Sequence, residues 1–97
     1  MNNSLLIKIL SETNNSHNMN LFLRALFTKK ELREIENRLK IFQLLLQGKK
    51  QREISEKLNV GIATVTRGAN AFDSEKIFSI KTNIIQILKI TNINYNE

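Results

Sequence analysis

The sequence predicts an all-α fold, and three observations support that class. No proline interrupts the 97 residues, so no helix interior has to accommodate one. No segment alternates apolar and polar residues in the way that predicts a half-buried strand. Apolar residues also recur at spacings of three and four in the longest apolar stripe, as they do on one face of a helix: Leu32, Ile35, Leu39, Phe42 and Leu46.

Four amphipathic helices are expected outside the centre of the chain, at residues 3–12, 19–26, 29–47 and 75–90. The run from Thr28 to Glu31 is a capping box, in which both side chains satisfy backbone donors at the start of the third helix. Gly48 should end that helix, since glycine accepts the left-handed conformation that follows many helices. Ser74 is the expected cap of the last helix.

The last helix carries more apolar surface than one subunit can cover. One of its stripes consists of Ile77, Ile80, Ile84 and Ile87, and a second consists of Phe78, Ile85 and Leu88. One face can pack internally, whereas the other requires a partner. A chain of this length predicts one domain, 1–97, with a modest core. We therefore expect a homodimer.

The composition excludes most catalytic and metal sites. There is no cysteine and one histidine, and the three glycines are widely separated. A disulfide, a thiolate metal site, a Ser/His/Asp triad and a phosphate-binding loop are therefore not expected. Lys8 interrupts the apolar N-terminal run, which argues against a signal peptide. No run is long enough for a membrane span. We expect a cytoplasmic protein that is not an enzyme and binds no metal.

Positive charge is concentrated in the middle of the chain. Residues 29–67 hold ten Lys and Arg against five Glu, so that they carry +5 of the total +6. A solvated helix face would explain such a distribution, and nucleic-acid binding is the leading functional explanation.

Residues 51–72 match the pattern of a helix-turn-helix, with helices expected at 51–58 and 62–72. Such a motif needs apolar residues facing inward from both helices, a small residue where the helices cross, and a turn residue that tolerates positive φ. The chain provides these as Ile54, Leu58, Val60 and Val65, then Ser55, then Asn59. A helical hairpin that only packs is the alternative to a DNA-binding motif.

In a DNA-binding motif of this kind, the start of the second helix enters the major groove. Mostly short side chains would there lie against base edges, and their methyl groups can contact thymine methyls: Gly61, Ile62, Ala63, Thr64 and Thr66. The residues around the first helix are candidate phosphate contacts: Lys49, Lys50, Gln51, Arg52 and Lys57.

The run GIATVTRGAN, with QRE before it and the upstream pair Glu31 and Arg38, resembles the bacterial Trp repressor family. The resemblance covers roughly residues 21–73. It implies a six-helix subunit in an intertwined homodimer. It also implies repression at a palindromic DNA operator, with L-tryptophan as corepressor and no other cofactor. That family is itself a standard example of helix-turn-helix docking and of water-mediated base reading.

The same resemblance implies a ligand site. In the family, two arginines sandwich the indole ring, and the matching residues are Arg38 and Arg67. A guanidinium over an aromatic face contributes about 0.5–2 kcal/mol. Gly68 is interpreted as leaving bare backbone for the flat ligand, and Thr28 matches a threonine near the ligand's polar groups. Phe27 adjoins Thr28 and is a candidate apolar wall.

The chain departs from the family in three places, one of which is Ser55, where members can carry a basic residue. Ala71 stands where a ligand-contacting serine is usual, and the turn after Gly48 is shorter and lacks a serine cap before Gln51. Two alternatives therefore stay open. One is a DNA-binding regulator of the same fold with a different effector or none. The other is a helical dimerisation module without a DNA role.

Overall fold

A computed structural model describes residues 4–73 and 81–89, and every regular element in these two ranges is an α-helix. The all-α class is confirmed. The six helices are α1 (Leu5–Glu12), α2 (Ser16–Leu26), α3 (Lys29–Leu46), α4 (Gln51–Leu58), α5 (Ile62–Phe72) and α6 (Lys81–Leu88). None of these helices is long and apolar enough to cross a membrane.

The predicted bounds were wrong at the starts of α1 and α2. α1 begins at Leu5 because Ser4 caps it, accepting the Ile7 N–H at 3.3 Å. α2 begins three residues earlier than expected because Asn15 caps it, accepting the Asn18 N–H at 2.9 Å. α3 ends at residue 46 rather than 47. Ser74 and the remainder of 74–80, together with 90, lie outside the described residues.

The chain divides into two compact units, one up to Glu34 and one from Ile35. In the first unit, neither α1 nor α2 contains a buried residue. Leu5 is 76% exposed. Five further large apolar side chains of these two helices are also exposed: Leu6, Ile7, Ile9, Leu21 and Leu26.

The second unit contains the core, which consists of two clusters. The first cluster joins α3, α4 and α5 through Ile41, Leu44, Ile54 and Val65, with Leu45, Leu58 and Val60 at its border. The second joins α3, α5 and α6 through Phe42, Leu46 and Phe72, with Leu45, Ala71, Ile84 and Ile85 at its border. Leu45 packs against both clusters, so the two form a continuous apolar interior.

The apolar stripe predicted for α3 is buried only near its end. Phe42 is buried, whereas Ile35 is 40% and Leu39 is 50% exposed. Ile41, on a neighbouring face, is fully buried because α4 and α5 pack there. In α6, the packed residues include Ile84 and Ile85, one from each predicted stripe. Ile87 is 76% exposed. The stripe positions Ile77, Phe78 and Ile80 lie outside the described residues.

Candidate nucleic-acid and ligand site

The turn between α4 and α5 has the geometry of a helix-turn-helix. Asn59 adopts φ 55° and ψ 49°, the left-handed conformation predicted for it. Its N–H donates to the Glu56 carbonyl at 3.3 Å, and the Val60 N–H donates to the Ser55 carbonyl at 3.1 Å. These two bonds form a Schellman ending. The Ser55 hydroxyl also donates to the Val60 carbonyl at 2.6 Å. The sequence indicated only that Ser55 must be small.

The inward residues of the motif fix the angle of α5. Ile54 is 1% exposed and Val65 is fully buried, both in one cluster with Ile41 of α3. Leu58 and Val60 pack against the same cluster. The inward positions predicted from the motif pattern are confirmed, so α5 is held against both α3 and α4.

The outward residues of the motif are free of the core. Gly61, Ile62, Ala63 and Thr66 are exposed, and Thr64 is half-buried. The candidate phosphate contacts are also exposed: Lys49, Lys50, Gln51, Arg52 and Lys57. The four cations among them form no ion pair with any described residue, while the ion pair of Lys8 with Glu12, at 3.0 Å, lies in α1. The structure therefore leaves these charges available to a partner.

Neither helix of the motif has a side-chain cap at its start. Lys50 occupies the N-cap of α4, and an ammonium group cannot accept a hydrogen bond. Only the reverse half of a capping box forms there, in which the Lys50 N–H donates to Glu53 Oε1 at 3.2 Å. Gly61 is the N-cap of α5 and has no side chain to accept. The first-turn N–H groups of both helices therefore lack a side-chain acceptor at the cap.

Gly61 is required neither by backbone conformation nor by packing within the chain. Its φ is −64°, which any residue adopts. A Cβ built at Gly61 would meet nothing within 4 Å. Serine, asparagine or aspartate would cap α5 better than glycine, by a few tenths of a kcal/mol. Nothing in the described residues requires a glycine at this position.

The structure gives Gly68 a packing role, and its predicted part in a ligand site stays a prediction. Gly68 is buried against α3. A Cβ there would lie 3.0 Å from Ile41 Cγ2, 3.3 Å from Ile41 Cδ1 and 3.4 Å from Arg38 Cδ. The glycine in the middle of α5 thus permits close packing of α3. Sequence reasoning missed Ile41 as its neighbour.

The two candidate ligand arginines lie on α3 and α5, the two helices that pack at Gly68. The aliphatic part of Arg38 lies against Gly68, and Arg67 precedes Gly68 in α5. Arg38 is half-buried, whereas Arg67 is exposed. The Arg67 Nη2 atom donates to Thr64 Oγ1 at 3.4 Å. Arg67 therefore connects the candidate ligand site with a candidate base contact.

Phe27 and Thr28 lie in the first compact unit. The capping box is confirmed, since the Thr28 N–H donates to Glu31 Oε1 at 2.8 Å and the Glu31 N–H donates to Thr28 Oγ1 at 3.1 Å. Phe27 is half-buried at the end of α2. Their contribution to a ligand site stays a prediction.

Within residues 4–73 and 81–89, no group of three or more His, Cys, Asp or Glu side chains could hold a metal ion. A cleft of about 360 Å³ lies along α4, lined by Leu44, Lys49, Glu53, Ile54, Glu56 and Lys57. It includes neither Arg38 nor Arg67. Its mixed charges do not select a ligand class, so we assign it no role.

Comparison with known proteins assigns the chain to a family. Residues 2–77 match the family model described as Trp repressor protein. A Trp operon repressor homolog of Xylella fastidiosa (strain M23) is 39% identical over 66 residues, which are 67% of this chain and 72% of the relative. A homolog of Aliivibrio fischeri (strain MJ11) is 44% identical over 61 residues, 58% and 56% of the two chains. One from Vibrio parahaemolyticus is 35% identical over 71 residues, 72% and 69% of the two chains.

No solved structure was found to match the chain. The matched family comprises DNA-binding transcriptional repressors rather than enzymes. The family match spans the whole motif and both arginines. The chain therefore belongs to the Trp repressor family.

Proposed function

We propose that this chain is a repressor that binds a palindromic DNA operator as a homodimer in response to L-tryptophan. One observation carries the proposal. The core fixes α5 against α3 and α4, while the start of α5 presents mostly short and exposed side chains, and the cations around α4 form no ion pair with any described residue.

The start of α5 suits close contact with base edges. Gly61 and Ala63 present almost no side chain, and Thr64 adds a hydroxyl and a methyl group. Because glycine is not required there within the described chain, a partner that approaches the backbone gives the simplest reason for it. The major groove of DNA admits a helix of this kind.

The start of α4 suits a phosphate. First-turn N–H groups without a side-chain cap, and the partial positive charge of the helix dipole, together favour an anion. The side-chain cations of Lys49, Lys50 and Arg52 flank this helix start and form no ion pair with any described residue, while the Glu53 carboxylate accepts from the Lys50 backbone N–H. Such contacts orient a protein on DNA without reading sequence.

Arg38 and Arg67 are proposed to bind the indole ring and carboxylate of L-tryptophan. A guanidinium attracts an aromatic face and pairs with a carboxylate. The aliphatic part of Arg38 lies beside Gly68, and this supports a place for its side chain at the α3–α5 contact. The bond from Arg67 to Thr64 supports coupling, because a ligand that recruits Arg67 also changes the partner of Thr64.

Homodimerisation is proposed to cover the apolar residues that one chain leaves exposed. These are the six exposed side chains of α1 and α2, together with Ile87 and Leu88 of α6. Large exposed apolar surfaces mark interaction sites, and α1 alone exposes Leu5, Leu6, Ile7 and Ile9. We propose that residues 1–97 form one domain of this dimer and that the dimer matches a twofold-symmetric operator.

Selection of duplexes from a random-sequence pool, with L-tryptophan present, tests the DNA-binding proposal. Binding of the selected duplex and of a scrambled duplex is then compared by fluorescence anisotropy. Thr64→Leu should abolish the preference for the selected duplex over the scrambled one and keep non-specific binding, since a bulky side chain would hold α5 out of the groove. Lys50→Ala is the control and should weaken both duplexes alike, lowering the steepness of the log–log salt slope by about 0.9. If Thr64→Leu kept the full preference for the selected duplex, this result would contradict the placement of α5 in the groove.

Ala71 favours a second candidate, a regulator of the same fold with another effector. The family usually carries a serine there, but Ala71 packs at the border of the cluster of Phe42, Leu46 and Phe72. Its methyl group thus has a place in the core, which weakens this alternative. A calorimetric titration separates the two candidates, because only the corepressor proposal predicts a heat of binding with L-tryptophan.

A further inference from the structure

One hydrogen bond joins the two helices of the motif on their exposed side. Thr66 Oγ1 of α5 donates to Gln51 Oε1, in the first residue of α4, at 2.9 Å. Both residues are exposed. The side-chain bonds of Lys8 with Glu12 and of Arg67 with Thr64 each lie within one helix, so the bond between Thr66 and Gln51 is of a different kind.

Stabilisation of the fold alone does not explain this hydrogen bond well. The two helices are already joined by Ile54 and Val65, which are almost fully buried, and the turn is fixed by the bond from Ser55 to Val60. An exposed hydrogen bond competes with water and adds little to stability.

The chemistry of glutamine suggests what the bond does instead. A glutamine amide has one oxygen that accepts and one nitrogen that donates two hydrogens. Because the oxygen of Gln51 accepts from Thr66, the orientation of the amide is restricted and its nitrogen is left to donate. No acceptor for that nitrogen is found among the described residues. Lys50 and Arg52 flank Gln51, so the local charge favours an anionic acceptor.

We propose that Thr66 is a positioning residue that holds the Gln51 amide with its N–H groups toward a DNA phosphate oxygen. A long side chain fixed before binding loses less rotamer freedom when it makes its contact. Thr66 therefore serves DNA binding through Gln51 and need not touch DNA itself. This inference rests on the proposed DNA binding, which it extends to a particular pair of side chains.

The test is a double-mutant cycle with Thr66→Val, Gln51→Met and the double variant, measured on a labelled duplex of mixed sequence. A phosphate contact does not depend on sequence, so this duplex is sufficient. Thr66→Val should weaken binding by about three- to tenfold, the usual net effect of one hydrogen bond. The double variant should bind no more weakly than Gln51→Met alone, while Thr66→Ser, which keeps the hydroxyl, should regain most of the binding that Thr66→Val loses.

Two controls separate positioning from other effects. The salt slope should not change in Thr66→Val, because Gln51 neutralises no phosphate charge, whereas Arg52→Ala should flatten it. The melting temperature of Thr66→Val should match that of the wild type. A fold-change in the double variant equal to the product of the single fold-changes would overturn the inference, as would a marked loss of melting temperature in Thr66→Val. Failure of the wild type to bind duplex DNA at any salt concentration would instead overturn the proposed function.

Discussion

The helices of the first unit and those of the motif differ in how their first turns are capped and in whether they bury any residue. α1, α2 and α3 begin with side-chain caps from Ser4, Asn15 and Thr28. α4 and α5 begin without a side-chain cap hydrogen bond. In contrast, α1 and α2 bury no residue, whereas α4 and α5 both contribute to the core.

The contrast indicates what kind of partner each region requires. The first unit has capped helix starts and exposed apolar side chains, which we propose a second copy of the chain covers. The motif has a buried core, helix starts without side-chain caps, and cations with no ion pair among the described residues, a combination that suits an anionic polymer. The protein partner and the nucleic-acid partner are therefore expected at different parts of the chain.

The largest expected effect comes from the core of the motif. Ile54→Ala should lower the free energy of unfolding by about 2–5 kcal/mol, since it removes a buried side chain and leaves a cavity. Ile62→Ala is the matched control in the same motif, because Ile62 is 51% exposed. Chemical denaturation should show almost no change for the control. Equal losses for the two variants would show that the start of α5 is not a free surface.

The next effect tests the uncovered surface of the first unit. Leu5 is 76% exposed in the single chain, so Leu5→Ser should be neutral if the chain acts alone. If a second copy covers Leu5, the variant should weaken the dimer by about 1.5–3 kcal/mol. Sedimentation equilibrium measures this directly, with Lys8→Ser as control, since the exposed pair of Lys8 with Glu12 contributes little. A folded wild-type monomer at low micromolar concentration would contradict the dimer.

A smaller effect tests the packing of Gly68 against α3. Gly68→Ala raises helix propensity by about 1 kcal/mol. However, the new Cβ would meet Cγ2 of fully buried Ile41 at 3.0 Å. Overpacking of this kind costs about 1–3 kcal/mol, so we expect a net loss of about 1 kcal/mol. Adding Ile41→Leu removes the Cγ2 branch and should restore stability. An unchanged or raised melting temperature in Gly68→Ala would argue against tight packing there.

The smallest expected effect on the free energy of unfolding concerns the helix N-caps, and it tests the contrast between the capped start of α3 and the uncapped start of α5. Thr28→Ala should destabilise the protein by about 1 kcal/mol, because it removes a formed cap. Gly61→Ser should stabilise it by a few tenths of a kcal/mol, because it supplies a missing cap in open space. Gly61→Ser should nevertheless weaken operator binding, measured by anisotropy. Stronger DNA binding together with higher stability would contradict a close approach at Gly61.

The sequence predicted best those features that depend on neighbouring residues. The bounds of α4 and α5 agree with the prediction because Gly48, Asn59 and Gly61 mark their ends locally. Gly48 has φ 82°, as expected for a helix-ending glycine. The starts of α1 and α2 were missed although Ser4 and Asn15 were visible as caps.

Features that depend on residues far apart in the sequence could not be predicted from the sequence. The sequence did not show that Gly68 packs against Ile41, because Ile41 lies in another helix. The bond between Thr66 and Gln51 likewise requires α4 and α5 to be placed in space. The burial of Ile41 instead of Leu39 reflects where α4 and α5 pack on α3. Residue spacing along a single helix does not specify that position.

The most direct test of the central claim is a titration with L-tryptophan in the presence and absence of the selected operator duplex. The chain contains no tryptophan, so indole fluorescence reports the ligand alone. We predict two equivalent sites per dimer and tighter binding when operator is present, by a factor of about 5–150. The same factor should describe how L-tryptophan tightens operator binding, because the coupling is reciprocal. Binding of operator that is unaffected by saturating L-tryptophan, with no binding of the ligand itself, would contradict the account.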